Sequence, residues 1–141
     1  MTTRTFASFD WSTLPANQTD ANIGDIPPGK EVMDTIHLAL VERGFVVTEV
    51  EQHSSYGWSF YIKIGEVFVW TMLQLSDSWL LVSDAPIGLL KRLIGRSNNA
   101  ALTIACAELH AALSSTTLAQ SIRWFTRDEF AKNPSGGVSE P

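Results

Sequence analysis

Cys106 and His110 stand four residues apart in a stretch of helical periodicity. That spacing could set a thiol beside an imidazole as nucleophile and base, or supply two ligands of a zinc site. The surrounding residues argue for a plainer role. Cys106 sits among alanines and leucines, where a free cysteine behaves as a small hydrophobe, and no second cysteine–histidine pair exists to complete a tetrahedral site. Asp34 and His37 are three apart on another helical stretch and could pair, while His53 falls in the loop Gln52-His53-Ser54-Ser55. Glu49, Glu51 and Glu66 are available acids, yet alternation alone explains Glu49 and Glu51 as the solvent side of a strand. There is no Gly-x-Gly-x-x-Gly and no Gly-Lys-Ser or Gly-Lys-Thr, which excludes the usual phosphate loops by pattern. No catalytic residue, metal ligand or cofactor is expected, and the balance is against an enzyme.

Three other groups could bind rather than react. Lys91, Arg92 and Arg96, with Asn98 and Asn99 nearby, could hold an anion at the start of a long helix, where free N–H groups and the dipole favour negative charge. Their bland explanation is a solvated face. Ile104, Ala107 and Ala111 form a second apolar side of that helix, built of small residues, that meets a partner or is sandwiched within the domain; the sandwich is favoured. The third group is aromatic: Tyr56, Trp58, Phe60, Phe68, Trp70 and Trp79 fall within 24 consecutive residues, in positions of both parities. Both faces of a sheet therefore receive large rings, and one face is a candidate interface or ligand pocket. The candidate set is Tyr56, Trp58, Tyr61, Trp70 and Trp79, with Arg123 as a polar anchor.

The elements that must position these groups follow from periodicity. Residues 1–29 read as a polar arm carrying Phe6, Phe9, Trp11 and Leu14, closed by Ile26-Pro27-Pro28-Gly29 and expected to dock on its own domain. Val32, Met33, Ile36 and Leu40 recur at helical spacing, and Gly44 can close that helix. Period two then takes over in four runs, 45–51, 56–64, 67–75 and 78–83, with Gly65-Glu66 suited to a type II′ hairpin and Ser76-Asp77 to another tight connection. The run 67–75 is apolar on both sides, so it is expected to be central and covered on each face. A short helix over 86–94 and a firmer one over 98–113 follow. A fifth strand over 121–126 and a short helix opened by the capping box Thr126-x-x-Glu129 complete the domain. Residues 133–141 read as a flexible tail. The predicted architecture is α+β: an antiparallel meander of four to five strands packed against the first helix and the long later one, in one domain over 30–132.

At 141 residues the chain suits a single core. Its net charge of −5 weighs against nucleic acid, although residues 1–55 hold three cations and eight anions whereas 86–141 hold six and four. One cysteine, no leader-like start and no long apolar run predict a soluble cytoplasmic protein without membrane contact. In size, acidity and the order helix-then-meander over residues 30–113, the chain is similar to the general plan of secretion chaperones and small acidic immunity proteins. The function expected is that of a non-enzymatic protein-interaction protein, chaperone-, adaptor- or immunity-like and homodimeric, that holds its partner through an aromatic sheet face or the small-residue side of the 98–113 helix. The alternative is a small-molecule binder or modest enzyme with an aromatic pocket between sheet and helices.

Overall fold

The computed structural model describes residues 3–12, 26–76, 78–85 and 99–141. The expected short helix over 86–94 and the cluster Lys91, Arg92 and Arg96 lie outside the described residues, as do Leu14 and Asn98. Among the described residues the fold is α+β, with one antiparallel sheet of seven strands and three helices. In chain order these are β1 (Phe6–Trp11), α1 (Lys30–Glu42), β2 (Val46–Val47), β3 (Glu51–His53), β4 (Gly57–Ile64), β5 (Val67–Leu75), β6 (Trp79–Asp84), α2 (Asn99–Ser115), β7 (Ala119–Phe125) and α3 (Arg127–Lys132). The sheet runs β2-β4-β5-β6-β1-β7, with β3 also paired to β4.

Two differences from the sequence expectation raise the strand number above four to five. First, part of the presumed arm is a strand: β1 lies between β6 and β7, with Phe6 opposite Val82 on one side and Phe125 on the other. Ala7, Phe9 and Trp11 alternate into the core. Second, the run 45–51 does not form one strand. At Thr48 the side-chain hydroxyl accepts the Tyr61 N–H (2.8 Å), and the Thr48 carbonyl accepts from His37 Nε2 (3.0 Å). Thr48 N–H still bonds the Tyr61 carbonyl (2.9 Å), but the Tyr61 N–H goes to the Thr48 hydroxyl in place of its carbonyl, and regular pairing with β4 resumes only at Glu51.

Local signals set the remaining boundaries. Helix α1 buries Val32, Met33, Ile36 and Leu40. It closes in a Schellman arrangement, with Gly44 N–H bonded to the Val41 carbonyl (2.9 Å), Phe45 N–H to the Leu40 carbonyl (3.1 Å), and Gly44 at φ 94°. The β4–β5 hairpin turns through Gly65-Glu66, with Ile64 opposite Val67 and Gly65 at φ 61°. Thr126 caps α3 with both bonds of a capping box: Glu129 N–H to Thr126 Oγ1 (3.1 Å) and Thr126 N–H to Glu129 Oε1 (2.8 Å).

The inner face of the sheet shares one buried core with α1 and α2. Trp58, Phe60, Ile62, Val69, Leu73, Trp79, Leu81, Phe9 and Trp124 meet Ile36 and Leu40 of α1 and Ala105, Cys106 and Leu109 of α2. The outer face is covered unevenly. At the β1–β7 end, Phe130 of α3 packs on Phe6 and Phe125, with ring centroids 5.8 and 5.3 Å apart. The expected flexible tail is tied down there too, since Val138 and Trp124 exchange backbone bonds of 2.7 and 3.0 Å. At the β4–β5 end this cover runs out. The expectation that β5 is covered on both faces holds for Met72, which is buried, and fails for Phe68, which is 49% exposed.

Candidate functional site

The part of the outer face left uncovered among the described residues is an aromatic patch built by strand register. Tyr61 lies opposite Trp70, Lys63 opposite Phe68, and Trp70 opposite Asp84 on β6. Tyr61 and Phe68 meet edge to face with centroids 6.5 Å apart, and His53 of β3 meets Trp70 at 5.3 Å and Tyr56 at 5.4 Å. Tyr56 is 51% exposed and Tyr61 43%, while Trp70 and His53 are half-buried. Gly57 makes this end of the sheet possible. A Cβ at that position would lie 2.5 Å from the Leu73 carbonyl oxygen, so no larger residue fits without moving backbone.

The candidate aromatic set is divided by the structure. Tyr56, Tyr61 and Trp70 come together on the outer side, joined by His53 and Phe68, which the sequence reasoning did not single out as site residues. Trp58 and Trp79 belong to the core on the inner side. Trp58 Nε1–H donates to the Pro27 carbonyl (3.0 Å), with Lys30 Nζ 5.9 Å above its ring. The signal for this split was the period of two: Trp58 and Tyr61 differ in parity and cannot share a face. The register that places Trp70 beside Tyr61 carries no such local signal. On α2, Ile104 and Ala107 are exposed and Ala111 is half-buried, so the small-residue side faces solvent rather than being sandwiched in the domain.

Arg123 stands at the other end of the sheet, in a cleft of about 390 Å³ lined by Ser8, Asp10, Ser76, Ser121, Arg123 and Phe130, among others. The cleft forms at a bulge. Ser8 pairs with Arg123 and Asp10 with Gln120, so β7 carries one more residue than β1 between these pairs, and Ser121 there adopts φ 55°. Its Phe130 wall is held by a clamp between the two ends of the chain. Arg4 donates to both carboxylate oxygens of Glu129 (2.9 and 3.2 Å), and these bonds, with that from the Thr126 N–H, hold the Glu129 carboxyl below its ordinary pKa.

The reactive pairs suggested by spacing are otherwise engaged. Burial pushes the Cys106 thiol up to about 12, only partly opposed by a bond to Ser83, so it is not a nucleophile at neutral pH. His110 Nδ1 accepts a bond from Trp124 Nε1–H (3.0 Å) and so acts as a structural acceptor. Asp34 pairs with Lys30 (2.8 Å) rather than with His37. Among the described residues no three His, Cys, Asp or Glu side chains converge as a metal site, and no described helix is long and apolar enough to cross a membrane. No family model, curated protein or solved structure matches this chain.

Proposed function

We propose that this chain is a non-enzymatic protein-interaction protein, chaperone-, adaptor- or immunity-like in kind, that works as a homodimer joined through the outer face of β4 and β5. The observation that carries this reading is the cluster of exposed Tyr56, Tyr61 and Phe68 around the half-buried Trp70 on an open sheet surface. Contiguous exposed apolar surface of this sort marks association sites, and tyrosine and tryptophan are enriched in interface centres. A second copy is the occupant because the rim is matched in charge to itself. Lys63 flanks the rings beside Phe68, and Asp84 flanks them on the opposite side beside Trp70; both are exposed. Two-fold pairing of this face with its own copy sets Lys63 of each protomer against Asp84 of the other. One buried cysteine suits a reducing, cytoplasmic setting.

The test is molecular mass in solution. Light scattering across a concentration series is expected to give a dimer for the wild type. The double variant Phe68→Asp, Trp70→Asp is expected to be monomeric with unchanged far-UV circular dichroism. A wild-type monomer at high micromolar concentration, or a dimer indifferent to the double variant, overturns the proposal. The second reading, a small-molecule binder, is supported by the cleft around Arg123 rather than by a pocket between sheet and helices.

A further inference from the structure

The cleft at the β1–β7 bulge holds two opposite charges that do not use each other. Arg123 and Asp10 both line it and both are exposed. Among the described residues neither forms an ion pair or a side-chain hydrogen bond, although ion pairs form elsewhere at 2.8 and 2.9 Å. Strand geometry explains the gap. Arg123 lies opposite Ser8, and Asp10 is two residues further along β1 on the same side, about 7 Å away along the strand. Between them β7 carries one extra residue, and Ser121, which also lines the cleft, takes a left-handed conformation that non-glycine residues adopt at a cost. Serine hydroxyls from Ser8 and Ser76 add neutral donors and acceptors, and the half-buried Phe130 ring adds one apolar wall.

We infer that this cleft binds a free α-amino acid, its carboxylate on Arg123, its ammonium on Asp10 and an apolar side chain against Phe130. A simple anion is disfavoured by Asp10 and a simple cation by Arg123, whereas a compact zwitterion satisfies both at once. A guanidinium matches a carboxylate through paired N–H donors. The volume of about 390 Å³ lies at the small end of ligand sites, which suits a single amino acid better than a larger metabolite. This site is separate from the β4–β5 face, so it stands or falls independently of self-association.

The test is a titration of the full chain followed by backbone amide NMR shifts. The probes are L-leucine and L-phenylalanine, with N-acetyl-L-leucine, L-leucine amide and the dipeptide leucylleucine as controls. The free amino acids are expected to shift the amides of Ser8, Ser121 and Arg123. Each singly blocked form and the dipeptide, whose charges are further apart, are expected to bind at least tenfold more weakly. Arg123→Gln and Asp10→Asn are each expected to weaken L-leucine binding at least tenfold, with the remaining spectrum unchanged. Absence of shifts with both free amino acids at millimolar concentration overturns the inference. So does N-acetyl-L-leucine binding as tightly as L-leucine, or binding that survives both substitutions.

Discussion

The two faces of this sheet carry similar side chains and end in opposite situations. On the inner face, Trp58, Phe60, Trp79 and Phe9 are buried beneath α1 and α2, and the indole N–H of Trp58 has an acceptor at 3.0 Å. On the outer face, Tyr61 of β4 and Phe68 of β5 remain about half exposed, because among the described residues α3 and the tail cover only the β1–β7 end. Composition alone does not separate these fates. An aromatic ring on a strand contributes to stability only where a second layer removes it from water; elsewhere it is available for association.

The contrast yields expectations that can be ranked by size. Leu73→Ala, on the inner face of β5 where Leu73 is fully buried, is expected to cost about 2–5 kcal/mol in urea unfolding. A loss below about 1 kcal/mol would mean that the inner layer is not packed as described. Alkali should act next. Because the buried Cys106 thiol is pushed up to about 12 from an ordinary 9.0, the unfolded chain releases its proton first. Its contribution to stability is therefore complete below pH 9 and is lost as pH rises towards 12, by about 1.4 kcal/mol per pH unit within that window. Cys106→Ala should lack this added slope, and thiol reagents should label the wild type only on unfolding. A slope shared equally by both proteins would break the assignment.

His110→Ala is expected to cost about 1–3 kcal/mol, since it leaves the Trp124 indole N–H without its acceptor in a partly buried place. His110→Gln, which can still accept a bond, should recover part of that loss. The clamp on α3 should matter less. Arg4 and the Thr126 N–H hold the Glu129 carboxyl below its ordinary 4.5, so the clamp contributes at neutral pH and its contribution is lost as pH falls through that lowered value. An acid titration of wild type and Glu129→Gln should converge at low pH, and parallel curves would exclude the link. Smallest of all, Phe68→Ser should change unfolding free energy by less than about 1 kcal/mol under monomeric conditions, where half of the ring is already in water. A loss as large as that of Leu73→Ala would erase the distinction between the faces.

Much of the fold was legible because its signals are short. The Gly44 stop, the Gly65-Glu66 hairpin and the Thr126 capping box each involve groups within a few residues, so their energetics are nearly independent of the remainder of the chain. The burial of Val32, Met33, Ile36 and Leu40 followed from the helical period. By contrast, Phe6-Ala7-Ser8-Phe9-Asp10-Trp11 reads as part of a polar arm because it is short and mixed in polarity. Only partners more than 60 residues away, at Val82 and Phe125, make it an inner strand. Thr48 hid in a valine-rich run in the same way, since the bonds that take its hydroxyl and carbonyl out of regular pairing reach Tyr61 and His37.

The candidate site divides along the same line. Arg123 is expected beside the aromatic set, but the structure sets it at the other end of the sheet, where its neighbours Asp10, Ser76 and Phe130 come from three distant segments. The amino-acid order determined which residues share a side of each strand, because alternation is a property of the local backbone. Tertiary structure decided which side is covered, because two long helices can blanket one face of the sheet and the short α3 reaches only one end of the other. That shortfall in covering surface is what turns Tyr61, Phe68 and Trp70 from core into an open patch.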